Sequence, residues 1–449
     1  MKKIMTRLLS LVLLGTFIPS FVLAADWDLD KGSITVSATV ENQTVSQAGG
    51  SPTVDSNPVI TSSSGTTNNT VTITAEKNAT ANVTLENVNI DTGKIGGAAI
   101  TTSGEGNVNI ELDGTNTVQS GNTHAGVEKK DNGTLTITDE NKDGNLTANG
   151  GGVGGAGIGG GYGGSGSNIT IEGGKVTATG GFAGAGIGGG AGGSGSNITI
   201  SDGKVTATGG GAGAGIGGGY IGSGKGITIE GGEVTAQGDT GGAGIGGGAN
   251  GTGSDVTISG DAQVKVQGGR ANENWHKGAA IGNGGTSTTD GNEVSPNTSD
   301  LTVDGFIQIY EPGKNINTDT PDKTITGTVG DHSWNAGVVT AETVPESKAA
   351  AYWVCDPEGQ SIPYQAQQED GVLTVTVQAD TASLRGTTGS LRQLEAQGIT
   401  GIRFITNGAE SAFTLSALHT SGTGTFTLTH EGETVTFTLA EKDISGILK

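Results

Sequence analysis

From residue 150 to 285 the apolar positions return with a period of 29 residues. Ile158, Ile187, Ile216 and Ile245 recur inside Gly-Ile-Gly, and Ile169, Ile198, Ile227 and Val256 keep the same interval. Val176, Val205 and Val234 keep it too, with Val264 one residue late. Within a unit the alternation is that of half-buried strands: Asn168-Ile-Thr-Ile171 and Lys175-Val-Thr-Ala178, with Ala185-Gly-Ile187 as a third extended piece. A tight Glu172-Gly-Gly turn joins the first two, and the other two connections are almost pure glycine.

Three strands per unit at fixed length predict one coil of a solenoid, so the fold class read here is all-β, a right-handed parallel β-helix with 29-residue coils. Ile169 and Ile171 then point inward and Thr170 outward, and equivalent aliphatics stack in columns about 4.8 Å per rung. Worn copies extend the array. Val83-Thr-Leu85, Val108-Asn-Ile110 and Leu135-Thr-Ile137 read as the first strand, and Ile100 and Val127 stand in for the third. Gly278-Ala-Ala-Ile281 and Leu301-Thr-Val303 continue it downstream. Asn82, Asn107, Asn168, Asn197 and Asp255 precede the first strand, which suggests amides hydrogen-bonded up a column.

Beyond the array, glycine thins. Val372–Val377, Ile402–Ile405, Thr425–Leu428 and Val435–Leu439 alternate as strands, and Ser390–Ala396, ended by Gly398, reads as a short helix. At the other end Lys2, Lys3 and Arg7 precede an apolar stretch and Val22-Leu23-Ala24, the pattern of a secretory signal too short for a membrane span. The expected organisation is a signal peptide at 1–25, an N-terminal cap at 26–59, a β-helix at 60–345 and a small C-terminal α+β module at 346–449.

Composition fits a thin core: 86 glycines, 32% hydrophobic and 4% aromatic residues. The formal charge of −22 disfavours nucleic acid and anionic membranes. A single cysteine, Cys355, excludes an intramolecular disulfide and reads as a buried thiol. Gly184-Ala-Gly-Ile-Gly-Gly189 matches a dinucleotide fingerprint, but the string appears four times with no βαβ unit around it. The five histidines show no metal-ligand spacing, and the coils lack the aspartate of calcium-binding repeats. No metal site and no catalytic residue is assigned.

The coils alternate in one respect. Position 162 is Tyr, 191 Ala, 220 Tyr and 249 Ala, while 172 is Glu, 201 Ser, 230 Glu and 259 Ser. Tyr162 and Tyr220 fall two rungs apart, about 9.6 Å, on one face. They either stack flat on alternate sugar rings of an extended polysaccharide or plug a loop gap. Glu172 and Glu230 share that separation, near the upper end of the range of about 6.5–9.5 Å for inverting glycosidases, yet both sit in turns where a solvated surface role is ordinary. Trp275 lies in Asn272-Glu-Asn-Trp-His-Lys277, an insertion that lengthens its coil to 36 residues and is either a binding loop or a loop that packs its tryptophan down.

The pattern Ile169-Thr-Ile-Glu-Gly-Gly-Lys-Val-Thr-Ala178, with the Gly-Ala-Gly-Ile-Gly-Gly-Gly joints, resembles the β-helical carbohydrate-binding domains of secreted clostridial and related Gram-positive proteins. The resemblance covers about residues 80–285. It implies an extracellular location, binding of acidic or neutral plant-type polysaccharide, and calcium in some members; no acidic cluster carries over as calcium ligands. Three functions follow as expectations. The first is a secreted or cell-surface, adhesin-like protein binding extracellular polysaccharide or cell-surface glycan, without a membrane span. The second is a polysaccharide lyase or hydrolase, and the third a structural spacer presenting the C-terminal module.

Overall fold

The computed structural model describes residues 26–130, 132–260, 262–292, 301–303, 306–326, 328–329, 332–333, 352–356, 362, 364–388, 391, 394–395, 398–422, 424–440 and 442–449. The signal-like residues 1–25 lie outside them. The chain winds as a parallel β-helix with three faces: sheets of ten, nine and eleven strands, each coil giving one strand to each. In the central coil these are Gly166–Ile171, Lys175–Thr179 and Ile187–Gly188, in the order expected. Equivalent strands pair in register 29 residues apart, Ile169 with Ile198, Val176 with Val205 and Ile187 with Ile216. Alternation decides the faces: Ile169, Ile171, Val176 and Ala178 are fully buried while Thr170 and Thr177 are not. Each buried isoleucine contributes roughly 1.5–3 kcal/mol, so stability accumulates by stacking rather than within one coil.

The third sheet is almost pure backbone. Its central strands are Ile-Gly dipeptides, and Gly159, Gly188, Gly217, Gly246 and Gly282 hold φ between +131° and +137°. A Cβ on Gly188 would stand 2.1 Å from the carbonyl oxygen of Gly217 on the next rung, and the same clash of about 2.0 Å recurs at Gly159 and Gly217. No other residue fits there.

Two local readings change. The register of the first worn coil is offset by two: Val83 pairs with Ile110 and Leu85 with Leu112, so Asn82 stands beside Asn109 rather than Asn107. The asparagine column is primarily a backbone device. Asn168, Asn197, Gly226 and Asp255 all adopt left-handed φ of +51° to +65°, which asparagine, aspartate and glycine tolerate best. In the regular coils the amide ladder is one bond, Asn197 Nδ2 donating to Asn168 Oδ1 at 3.1 Å, because Gly226 has no side chain to continue it; in the worn coils Asn109 Nδ2 donates to Asn82 Oδ1 at 2.9 Å.

The ladder ends are covered. Residues 26–59 give the first rungs of two sheets, Asp26–Asp28 and Ile34–Ala38, and then fold back antiparallel through Gln43–Gln47 and Thr53–Val54. The buried Gln43 amide donates to Asn82 O and accepts from Asn82 N, standing in for a missing strand. At the far end the last parallel rung is Phe306–Tyr310, and Lys323–Thr326 pairs with it antiparallel.

The C-terminal segment builds its own core from Tyr352, Phe404, Phe413, Phe426 and Phe437, under a five-stranded and a four-stranded sheet. The strands expected near 372, 402, 425 and 435 are present. Of the expected helix at 390–396 only Leu391, Leu394 and Glu395 are described, all helical with both leucines buried. An unexpected helix, Leu415–Ser421, starts at a Thr414 cap. Cys355 is buried as expected, and burial raises its thiol pKa.

Gly188→Ala should lower the urea unfolding midpoint of the solenoid by an amount worth about 3 kcal/mol or more, combining overpacking with a disallowed φ. Gly163→Ala, at φ +72° with open space around it, should cost only about 1–2 kcal/mol. Equal effects would refute the steric account. A second test concerns His430, whose ring is buried between the hydroxyls of Thr406 and Ser411 at 3.1 and 3.0 Å. Burial holds its pKa below the ordinary value, so the unfolded chain binds the proton more readily. Its stability contribution is complete above the unfolded imidazole pKa of about 6.5 and lost as pH falls below that. Thermal melts of His430→Gln should show a flatter acid limb than wild type.

Candidate functional site

The glycine loops flanking the third sheet carry few large side chains, and those few project. Tyr162 is 65% and Phe182 70% exposed, with Val153 and Ile221 about half exposed. Val153 and Phe182 bridge on adjacent rungs. Both aromatic rings lie close against glycine backbone: a Cβ on Gly154 would meet the Tyr162 ring at 2.8 Å, and one on Gly211 the Phe182 ring at 2.7 Å. Ile221 occupies the slot that is Gly163, Gly192 and Asn250 in the other coils, at φ +57°. For a β-branched residue that is a strained conformation, and it holds an apolar side chain out in solvent.

Tyr162 and Tyr220 share a column, but they are not equivalent. Tyr220 is largely covered, because Trp275 from the 36-residue coil packs edge-on against it at 5.4 Å between centroids and 62° between planes. The insertion therefore docks on the strip two rungs from Tyr220. Tyr162 and Tyr220 are therefore not two matched tyrosines: one is exposed, the other lies against Trp275, and Phe182 stands in the neighbouring loop column, next to Ala183, whose carbonyl accepts from Tyr220 N at 2.8 Å. Phe182 was not legible as part of the site; its signal is a lone aromatic at a position that reads Val153, Phe182, Gly211 and Thr240.

Glu172 and Glu230 stand elsewhere, exposed in turns at the corner between the first and second sheets, their N–H groups donating to Ile137 O and Ile200 O. Glu172 borders a groove of about 680 Å³ with Asp139, Asp143, Lys175, Asp202 and Lys204, a solvated mixture of both signs. Nothing there buries or desolvates a carboxylate, and the exposed rings lie at a different corner.

A polar cluster that the sequence reading passed over lies beneath the start of the strip. Glu128, 3% exposed at its side chain, holds the first position of what becomes the glycine column. Its carboxylate accepts from Ala125 N at 3.1 Å, contacts His124 Nδ1 at 2.7 Å and pairs with Lys130 Nζ at 2.6 Å. The loop at Gly161 folds over it, and Tyr162 N donates to Thr123 O at 2.7 Å beside it. The cluster anchors the first glycine lobe and so the base of Tyr162. Among the described residues no group of three His, Cys, Asp or Glu could hold a metal ion, and no helix is long and apolar enough to cross a membrane.

A family model described as a beta helix repeat matches residues 169–191, 198–220 and 227–249, three successive coils. No curated protein and no solved structure matches the chain.

Glu128→Ala should destabilise the solenoid by about 1–3 kcal/mol in chemical unfolding, since it leaves Ala125 N and His124 without their acceptor and opens a hole under the glycine lobe. A wild-type midpoint would show the cluster to be idle.

Proposed function

We propose that this chain is a secreted or cell-surface, adhesin-like protein that binds extended extracellular carbohydrate along the aromatic strip. The observation that carries the reading is the pair of exposed rings, Tyr162 and Phe182, held on neighbouring glycine loops of a rigid ladder. Flat rings present an apolar face to the C–H face of a sugar, and an extended polysaccharide repeats that face along its length, as the rungs repeat theirs. Because the rings are fixed by backbone stacking, little conformational freedom is lost on binding. The signal-like residues 1–25 agree with an extracellular setting, and the acidic charge disfavours nucleic acid. The likeness of Ile169–Ala178 to clostridial carbohydrate-binding repeats supports the same ligand class. Glu172 and Glu230, exposed and remote from the strip, give no ground for a hydrolytic step.

Tyr162→Ala combined with Phe182→Ala should reduce retention on insoluble cellulose about five- to tenfold, with the unfolding midpoint unchanged because both rings are largely exposed. Undiminished retention by the folded double variant would sink the proposal.

A further inference from the structure

Tyr162 and Tyr220 hold the same position in coils two rungs apart, yet only Tyr162, 65% exposed, meets solvent freely. Each projects from a glycine lobe bonded in the same way, Tyr162 N donating to Thr123 O at 2.7 Å and Tyr220 N to Ala183 O at 2.8 Å. What differs is Trp275, whose ring lies edge-on against Tyr220. Beside the covered ring, Ile221 stays 54% exposed at a left-handed φ of +57°. This strained apolar residue thus flanks a ring that Trp275 keeps largely from solvent.

The coil closes without the segment that carries Trp275. In the regular coils one backbone bond shuts a tight turn: Gly184 N to Gly181 O, Gly213 N to Gly210 O and Gly242 N to Asp239 O. Two residues form its tip, Phe182-Ala183, Gly211-Ala212 and Thr240-Gly241. In the 36-residue coil the same bond runs from Gly278 N to Gly269 O at 2.9 Å, and residues 270–277 replace the two at the tip. They leave the coil at a closed neck and fold over the preceding lobe, where a Cβ on Gly241 would meet Trp275 Cβ at 3.0 Å. Asn272 Oδ1 shapes their turn, accepting from Asn274 N at 2.8 Å and Trp275 N at 2.9 Å. Gly241 N donates to Arg270 O at 3.0 Å, and His276 N to Thr286 O at 2.9 Å. The side-chain ties are exposed ion pairs, His276 Nδ1 with Asp290 Oδ1 at 3.2 Å and Lys277 Nζ with Glu311 Oε2 at 3.3 Å. Pairs so exposed hold a segment only weakly.

We propose that residues 270–277 are an autoinhibitory cover that withholds Tyr220 from ligand. The proposal rests on the carbohydrate reading above and concerns the regulation of that surface. With the cover down, a ligand meets Tyr162 and Phe182. With it lifted, Tyr220 and Ile221 add a second apolar face two rungs from Tyr162. A chain already held at the first rings reaches the second face as an intramolecular contact, so lifting the cover raises affinity and leaves the first contacts as they were. Ligand and Trp275 compete for the Tyr220 ring, and the affinity gained there scales with the fraction of molecules whose cover is up.

Tyrosine nitration of the full chain, read peptide by peptide by mass spectrometry, tests the cover without any ligand. In wild type Tyr162 should react at least about fivefold faster than Tyr220. In Trp275→Ala, and in a variant whose residues 270–277 are replaced by the dipeptide of Thr240-Gly241, the two should react within about twofold of each other. Both variants should be retained on insoluble cellulose about three- to tenfold better than wild type, and Tyr220→Ala added to Trp275→Ala should remove the gain. Equal nitration of the two tyrosines in wild type, or Tyr220 nitration that neither variant raises, overturns the proposal. Tyr220 unmasked with cellulose retention unchanged or lowered overturns it and leaves the carbohydrate reading standing; retention of neither wild type nor variants overturns both.

Discussion

Everything in the solenoid depends on how closely the third sheet lets one rung lie on the next. At Gly188 the next rung's carbonyl stands where a Cβ would be, and the same contact is repeated along the glycine column. Backbone hydrogen bonds run straight through it, Gly157 N to Ala185 O, Gly186 N to Ala214 O and Gly215 N to Ala243 O, all at 3.0–3.1 Å. One side of each coil is therefore closed by peptide groups and a single isoleucine. This explains how a chain with so few large apolar residues buries a continuous core. It also explains the vulnerable points: an uncovered end would leave peptide groups unpaired, and Gln43 at one end and Gln267 at the other supply amide groups where strands run out.

The sequence reads well where a physical requirement repeats. The aliphatic columns were legible because burial is demanded at the same position in every coil, and the Ile158–Ile281 column pairs as the spacing says it should. Where coils are worn, the spacing underdetermines the register, and Val83 proved to pair two residues away from the position its motif suggests. The asparagines before the first strand were visible, but their main reason is backbone conformation rather than side-chain bonding.

The candidate sites were legible only in part, and for a related reason. Tyr162 and Tyr220 stood out against an alternating background. The fate of Tyr220 depended on Trp275, which comes from an insertion with no counterpart in the other coils, so no periodicity could say where it would fold. His124 and Glu128 are four residues apart outside any helix, and only the chain path brings imidazole and carboxylate to 2.7 Å.

Exposed apolar side chains carry a cost to the fold. Outward polar strand residues such as Thr170 and Thr177 are harmless on any β-sheet. The strip is not harmless: Phe182 and Tyr162 give up most of their apolar area to water, and Ile221 adds a left-handed β-branched conformation where glycine or asparagine serves the other coils. Such strain and exposure lower the stability of a ladder whose every coil already depends on its neighbours. The buried core closes on Ile187 and Ile216 with those side chains outside it. On the proposed function, contact of these apolar faces with an extended carbohydrate is what offsets that cost.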